Sequence, residues 1–132
     1  MSDSPRPRSS LTGAPITPVL DSATLESLLA IAGGDVNFLE SVFSVFFETT
    51  PQQLGTMKEL LSELKWEELR RLSHTLRGSC ATLGAPGFVK VCQALEEACK
   101  EKAEDAATLA ITALEIEFQL IDSELQSFKS RS

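Results

Sequence analysis

The stretch Trp66–Gly84, WEELRRLSHTLRGSCATLG, decides the fold. Apolar residues recur in it at intervals of three and four, the spacing that places side chains on one face of an α-helix. At about 100° per residue that face is a narrow stripe, made of Leu69, Leu72, Leu76, Cys80 and Leu83. The pattern predicts an amphipathic helix that buries these side chains in a protein core and ends at Gly84.

His74, the one histidine of the chain, lies about 160° around this helix from the centre of the stripe and is predicted to face solvent. The residues three or four positions away from it are Arg70, Arg71, Arg77 and Gly78. Guanidinium groups match phosphate oxygens, and the missing side chain of Gly78, with the small Ala81, leaves room for another backbone to approach. A phosphate-handling site is one interpretation, and a solvated surface histidine among helix-forming arginines is the other.

Capping residues and helix breakers predict two helices before this stretch. A short helix over residues 21–32 begins with a capping Asp or Ser and ends at two glycines. Asp35 can cap a second helix, in which Pro51 leaves two interpretations open. Thr50 followed by proline resembles a new helix N-terminus, whereas a single helix to about Leu64 would kink at the proline. Local rules favour the break.

Two more helices are predicted after the stretch, one beginning near Pro86 and one capped by Asp105. Long helices joined by short loops pack as antiparallel neighbours. The expected fold class is therefore all-α, an antiparallel four-helix bundle with a short additional N-terminal helix. Residues 1–20 hold four of the six prolines and are expected to be a flexible N-terminal leader, with the bundle domain at 21–129.

The composition excludes several classes of function. The 132 residues carry 12 Lys+Arg against 19 Asp+Glu, a net charge of −7, so binding along nucleic acid is disfavoured. No apolar run reaches the roughly 20 residues that cross a bilayer. The three cysteines are unpatterned, which indicates a reducing, cytoplasmic setting, and with a single histidine no metal site is expected.

His74-Thr-Leu-Arg77-Gly78-Ser79, followed by Leu83-Gly84-Ala85, resembles the H-x-L-K-G-S-x-x-x-L-G-A signature of histidine-containing phosphotransfer (HPt) domains. The likeness extends outward to Gly34-Asp35, Trp66-x-x-Leu69 and Cys92-x-x-Leu95-Glu96. It covers about residues 21–128. The sequence departs from the pattern in two places, with Arg77 at the usual lysine position and Lys65 where an aspartate often caps the helix.

The resemblance implies a carrier in a two-component phosphorelay. A phosphoryl group would pass from a receiver-domain aspartate to Nε2 of His74 and then to another receiver domain. Arg77 would neutralise the phosphoryl oxygens, with Arg70 and Arg71 nearby, while Gly78 and Ala81 would let the receiver approach. Glu96 would accept the Nδ1–H of the imidazole and so fix its tautomer.

A phosphoryl carrier needs neither a metal nor a water-activating base, and the sequence offers neither cluster. We therefore expect no autonomous kinase or phosphatase activity and no cofactor of the chain's own, with Mg²⁺ expected on the partner receiver domain. The expected partners are receiver domains of hybrid histidine kinases and of response regulators, bound by a monomer. The alternative is a helical adaptor that binds receiver or kinase domains without being phosphorylated.

Overall fold

The computed structural model describes residues 19–131, which form five helices and no strand. The helices are α1 (Ser22–Ile31), α2 (Val36–Ser62), α3 (Trp66–Leu83), α4 (Pro86–Glu101) and α5 (Glu104–Arg131). This confirms the predicted all-α class. The expected leader falls largely on residues 1–18, outside the described residues, while Leu20 is already buried in the core.

The four longer helices form a closed ring. α3 packs between α2 and α4, α5 packs against α4 and closes the ring on α2, and α1 packs on α2. The connections between successive long helices are residues 63–65, 84–85 and 102–103, too short for anything but antiparallel neighbours. The bundle with an additional short helix is therefore as predicted.

The core is apolar and rich in phenylalanine. Phe46 of α2 contacts rings from two other helices, since its centroid lies 5.7 Å from that of Phe88 on α4 and 5.5 Å from that of Phe118 on α5. Because these rings come from three helices, their contacts stabilise the bundle rather than any single helix. The largest wholly buried side chains include Phe43, Phe88, Leu39, Met57, Leu69, Leu95, Leu114, Ile121 and Leu125.

The predicted break at Pro51 is wrong, because α2 continues through it. Proline removes one backbone donor, the one that would bond the Phe47 carbonyl, and Pro51 lies on the exposed side, where water can reach that oxygen. Phe46 before it and Leu54 after it are both buried on the same face. Their burial in one core outweighs the single lost hydrogen bond.

The helix caps follow the sequence with one exception. The Asp35 side chain accepts a hydrogen bond from the Asn37 backbone N–H at 2.9 Å, as a cap should, and Lys65 gives α3 no side-chain cap. α5, however, begins at Glu104, so Asp105 lies inside its first turn rather than at the cap. A carboxylate there still interacts favourably with the positive end of the helix dipole.

The buried stripe of α3 is rotated from the prediction. Four of its five members are buried, but Leu72 is only half-buried, while Ser73 is wholly buried. The reason is that α3 packs against two helices, so its buried arc widens towards α4. A helical wheel centred on the apolar residues alone does not show that α3 also packs against α4.

Gly84 closes α3 in the left-handed conformation, with φ +77°. Its carbonyl accepts the Asp21 backbone N–H at 2.7 Å, and a Cβ at this position would lie 2.7 Å from Cβ of Thr24. Only glycine both adopts this positive φ readily and has no Cβ to clash with Thr24. This contact seats the start of α1 against the turn between α3 and α4.

Candidate functional site

The imidazole of His74 stands on the outer face of α3. Its side chain is 61% exposed, which confirms the prediction that it faces solvent. Its contacts within the described residues all go to Nδ1, one with α4 and one with α3 itself. Nε2 therefore points away from both contacts.

The contact with α4 comes from Glu96. Its Oε1 lies 3.3 Å from Nδ1 of His74, and its side chain is only 12% exposed. A carboxylate so nearly buried depends on a positive or hydrogen-bonding partner. The sequence resemblance and the structure thus bring the same two residues together from different helices.

Arg77 lies one turn after His74 and touches both members of this pair. Its Nη2 lies 2.8 Å from Nδ1 of His74, and its Nε lies 2.8 Å from Oε2 of Glu96. The Nε and Oε2 atoms are buried and not aligned as a hydrogen bond, so this contact is an ion pair by distance. The guanidinium bridges the imidazole and the carboxylate, a contact that the helical spacing alone did not predict.

Arg70 and Arg71 are held by a carboxylate on their own helix. Arg70 bonds Glu67 through Nη2 at 2.6 Å and Nε at 3.0 Å, and Arg71 reaches the same carboxylate at 3.2 Å. The hydrogen bond from Arg70 lowers the pKa of Glu67 to about 2. Glu67 precedes the arginines by three and four residues, so i,i+3 and i,i+4 pairing was the available signal.

Gly78 and Ala81 are both exposed. A Cβ at Gly78 would meet nothing within 4 Å, so neither tight packing nor backbone strain in the described fold requires glycine there. Ala81 lines a hollow where the start of α1 meets the start of α4. Because these two residues are small, no bulky side chain covers the backbone on this side of α3.

An apolar groove runs between α2 and α3, and the residues that form it could not be assigned from the sequence. Its volume is about 340 Å³. Val45 is 63% exposed in its wall. The wall also contains Val42, Phe46, Thr49, Gln53, Leu76, Ser79 and Thr82. No clear sequence signal marks the groove, because it is formed by two helices and Val45 lies between Ser44 and Phe46 in the chain.

The cysteines do not form a site. Cys80, Cys92 and Cys99 are free and buried, and burial raises the pKa of Cys92 to about 12 and that of Cys99 to about 11. Thiols so far from ionisation are poor nucleophiles and poor metal ligands. Within residues 19–131 no group of three or more His, Cys, Asp or Glu side chains is arranged to hold a metal ion.

None of the five helices described is by itself long and apolar enough to cross a membrane. α1 and α2 reach that length and hydropathy only together, and they meet at 117°.

The structure is a helical bundle with one exposed histidine beside a carboxylate of the next helix. Comparison with known proteins shows the family to which such a bundle belongs. The sequence profile of the Hpt domain matches residues 41–128. The chain belongs to the Hpt domain family.

Histidine-containing phosphotransfer protein 2 of Arabidopsis thaliana is 24% identical over 96 residues. The match takes in 70% of this chain and 62% of that protein, so the chain spans less than two thirds of its relative's length.

Solved structures of histidine-containing phosphotransfer proteins share the fold. That of protein B from Pseudomonas aeruginosa PAO1 has a TM-score of 0.74 at 22% identity, covering 87% of this chain and 97% of its own. That of a maize protein has a TM-score of 0.73 at 22% identity, covering 85% and 83%.

Proposed function

We propose that this protein is a histidine phosphotransfer carrier of a two-component phosphorelay. His74 accepts a phosphoryl group from a receiver-domain aspartate and passes it to an aspartate on another receiver domain. The observation that carries the proposal is the exposed imidazole whose protein contacts all go to Nδ1, leaving Nε2 towards solvent. Membership of the Hpt domain family supports the same assignment.

In the transfer, the lone pair of Nε2 attacks phosphorus and the bond from phosphorus to the aspartyl oxygen breaks. The electron pair of that bond leaves on the carboxylate, which becomes a free aspartate. Nδ1 keeps its proton during the attack and donates a hydrogen bond to Oε1 of Glu96, 3.3 Å away. The second transfer runs the same steps in reverse on another receiver.

The basic groups and small residues serve the partner. Arg77 neutralises the phosphoryl oxygens in the transition state, and Arg70 and Arg71 add positive charge along the same helix. Gly78 and Ala81 let the receiver backbone come close to Nε2. The receiver brings Mg²⁺ and its own acidic pocket, so this chain needs no cofactor and has no autonomous kinase or phosphatase activity.

The groove between α2 and α3, which is lined in part by the helix that carries His74, supplies adhesion for the receiver. Its exposed Val45 and its neighbour Val42 offer apolar contact, and Ser79 lies in the same wall one turn beyond Thr75 of the site helix. Both receivers must leave after transfer, so the interface is a transient one of less than about 1,200 Å². The carrier acts as a cytoplasmic monomer between receivers of hybrid kinases and of response regulators.

The test mixes the protein with a receiver domain carrying labelled aspartyl phosphate and follows the label by mass and by acid lability. Acid-labile label on the wild type, absent from His74→Gln, is the expected result. Binding of phosphorylated receivers without any transfer, equal in the wild type and His74→Gln, would instead establish the adaptor alternative and contradict the carrier proposal.

A further inference from the structure

We propose that Arg77 gates the tautomer of His74. In the free protein it holds the imidazole with its proton on Nε2, where no lone pair is available for attack, and it releases the ring only when a phosphoryl group draws the guanidinium away. This inference rests on the proposed function for its purpose, but not for its test.

Two groups compete for the same nitrogen. Nδ1 of His74 lies 2.8 Å from Nη2 of Arg77 and 3.3 Å from Oε1 of Glu96. A guanidinium is only ever a donor and an ionised carboxylate is only ever an acceptor. One neutral imidazole nitrogen cannot satisfy both, because it either carries a proton or offers a lone pair. The shorter contact therefore makes Nδ1 the acceptor and leaves the proton on Nε2.

Protonation of both ring nitrogens does not resolve the competition. An imidazolium would direct its Nδ1–H at a guanidinium nitrogen 2.8 Å away, setting two donors and two positive charges against each other. The neutral tautomer protonated on Nε2 is the state in which this short contact is attractive.

An arginine fork suits this bridge better than a lysine. Nε of Arg77 lies 2.8 Å from Oε2 of Glu96 while its Nη2 reaches His74, so one planar group engages both partners. The ammonium group of lysine is a single point charge with one nitrogen, so it does not present separate nitrogens to the imidazole and to the carboxylate. The departure from the usual family residue at this position is what supplies the gate.

The negative charge of the incoming phosphoryl group opens the gate by attracting the guanidinium of Arg77. A phosphoryl group bears more negative charge than a neutral imidazole nitrogen and is the stronger partner for a guanidinium. When Arg77 turns to it, Nε2 gives its proton to water and Nδ1 takes one from water, so no net proton is gained or lost. The new Nδ1–H donates to Glu96, and the freed Nε2 lone pair can attack. Only a donor that engages Arg77 then meets a nucleophilic His74.

The chain contains one histidine, so its imidazole gives a single set of signals in a ¹⁵N-labelled sample. Two-bond ¹H–¹⁵N correlations of the free protein, at a pH of about 8.5 where imidazole is neutral, distinguish the tautomers. We expect the wild type to carry its proton on Nε2. In Arg77→Lys, with Glu96 as the remaining close partner, we expect the ratio of Nδ1–H to Nε2–H to rise at least about tenfold.

Two variants serve as controls. Arg70→Lys alters a guanidinium on the same helix that bonds Glu67, and it should leave the ratio unchanged. Arg77→Lys combined with Glu96→Ala removes the acceptor, and it should return the ratio towards the Nε2–H form. Backbone amide spectra check that each variant is folded.

The gate is overturned if the wild type carries its proton on Nδ1, or if Arg77→Lys changes the ratio by less than expected or no more than Arg70→Lys does. No receiver is present in this experiment. Its failure is therefore distinct from a failure of phosphoryl transfer, which would overturn the carrier function and leave the tautomer assignment standing.

Discussion

Ser73 on α3 donates a hydrogen bond from its Oγ to the backbone carbonyl oxygen of Cys92 on α4, at 2.9 Å. The serine is wholly buried, and it immediately precedes His74. Cys92 lies one turn before Glu96. The bond therefore sets the register of the two helices at the point where the imidazole and the carboxylate meet.

Replacing this serine should weaken the bundle. We expect Ser73→Ala to lower the free energy of unfolding by about 1 kcal/mol, the usual worth of one buried hydrogen bond. Ser79→Ala is the matched control, because the exposed Ser79 bonds only the Thr75 carbonyl of its own helix, at 3.5 Å. Urea denaturation of both variants measures the difference, and equal losses would contradict the assigned role of the interhelical bond.

The two arginines flanking His74 should differ in their effect on transfer. We expect Arg77→Ala to slow phosphoryl transfer about 10- to 100-fold, since it removes the guanidinium next to the ring. Arg70→Ala removes a guanidinium that is already bonded to Glu67 and should slow transfer by less than about threefold. The rate of label loss from a phosphorylated receiver gives both values. Similar rates in the two variants would count against this ranking.

Gly78 should be dispensable for folding and required for docking. A Cβ there meets nothing within 4 Å, so Gly78→Ala should stabilise the helix by about 0.5–1 kcal/mol. A bulky Gly78→Leu should remain folded yet lose receiver affinity about tenfold or more, because its side chain would stand where we propose that the receiver approaches.

The control for docking is Gly55→Leu. Gly55 is also helical and open, but it lines a hollow with Glu115 and Phe118 of α5. Calorimetric titration with a receiver domain should give wild-type affinity for this variant. Unchanged affinity in Gly78→Leu would refute the close-approach argument.

Glu117 on α5 should make stability depend on pH. Its Oε1 is buried without a hydrogen-bond partner, and burial raises the pKa of this carboxyl above its usual value. The raised pKa favours folding while the group is protonated, and that contribution is lost as pH rises through the folded-state pKa.

We therefore expect Glu117→Gln to be more stable than the wild type at pH 7, by less than about 1 kcal/mol, and to show no advantage below about pH 4. The exposed Glu124 provides the control, and its change to Gln should leave the pH profile as it is. Thermal unfolding from pH 3 to 8 makes the comparison. A constant difference across that range would contradict the burial argument.

The sequence predicted those features that depend on local pattern. Caps, glycine stops and apolar spacing place the helices to within a few residues, and the angle of His74 from the apolar stripe gives its exposure. The family signature brings Glu96 to the site, which spacing within one helix cannot do. Caps, glycine stops and apolar spacing are predictable because each depends on residues that are close to one another in the chain.

Features decided by tertiary packing were not predictable in this way. The local sequence at Pro51 predicts a helix start, but the burial of core residues on both sides of it keeps α2 continuous. Ser73 is buried because a second helix packs on α3. The contact of Arg77 with Nδ1 of His74 depends on a side-chain rotamer and on an acceptor from another helix.

The proposed function places the phosphoryl group on Nε2 of His74. Its most direct test is to charge ¹⁵N-histidine-labelled protein with a phosphorylated receiver and to record the ³¹P–¹⁵N coupling. We expect a coupling to Nε2, none to Nδ1 and no phosphate elsewhere on the chain. A coupling to Nδ1, or phosphate on any residue other than His74, would contradict it.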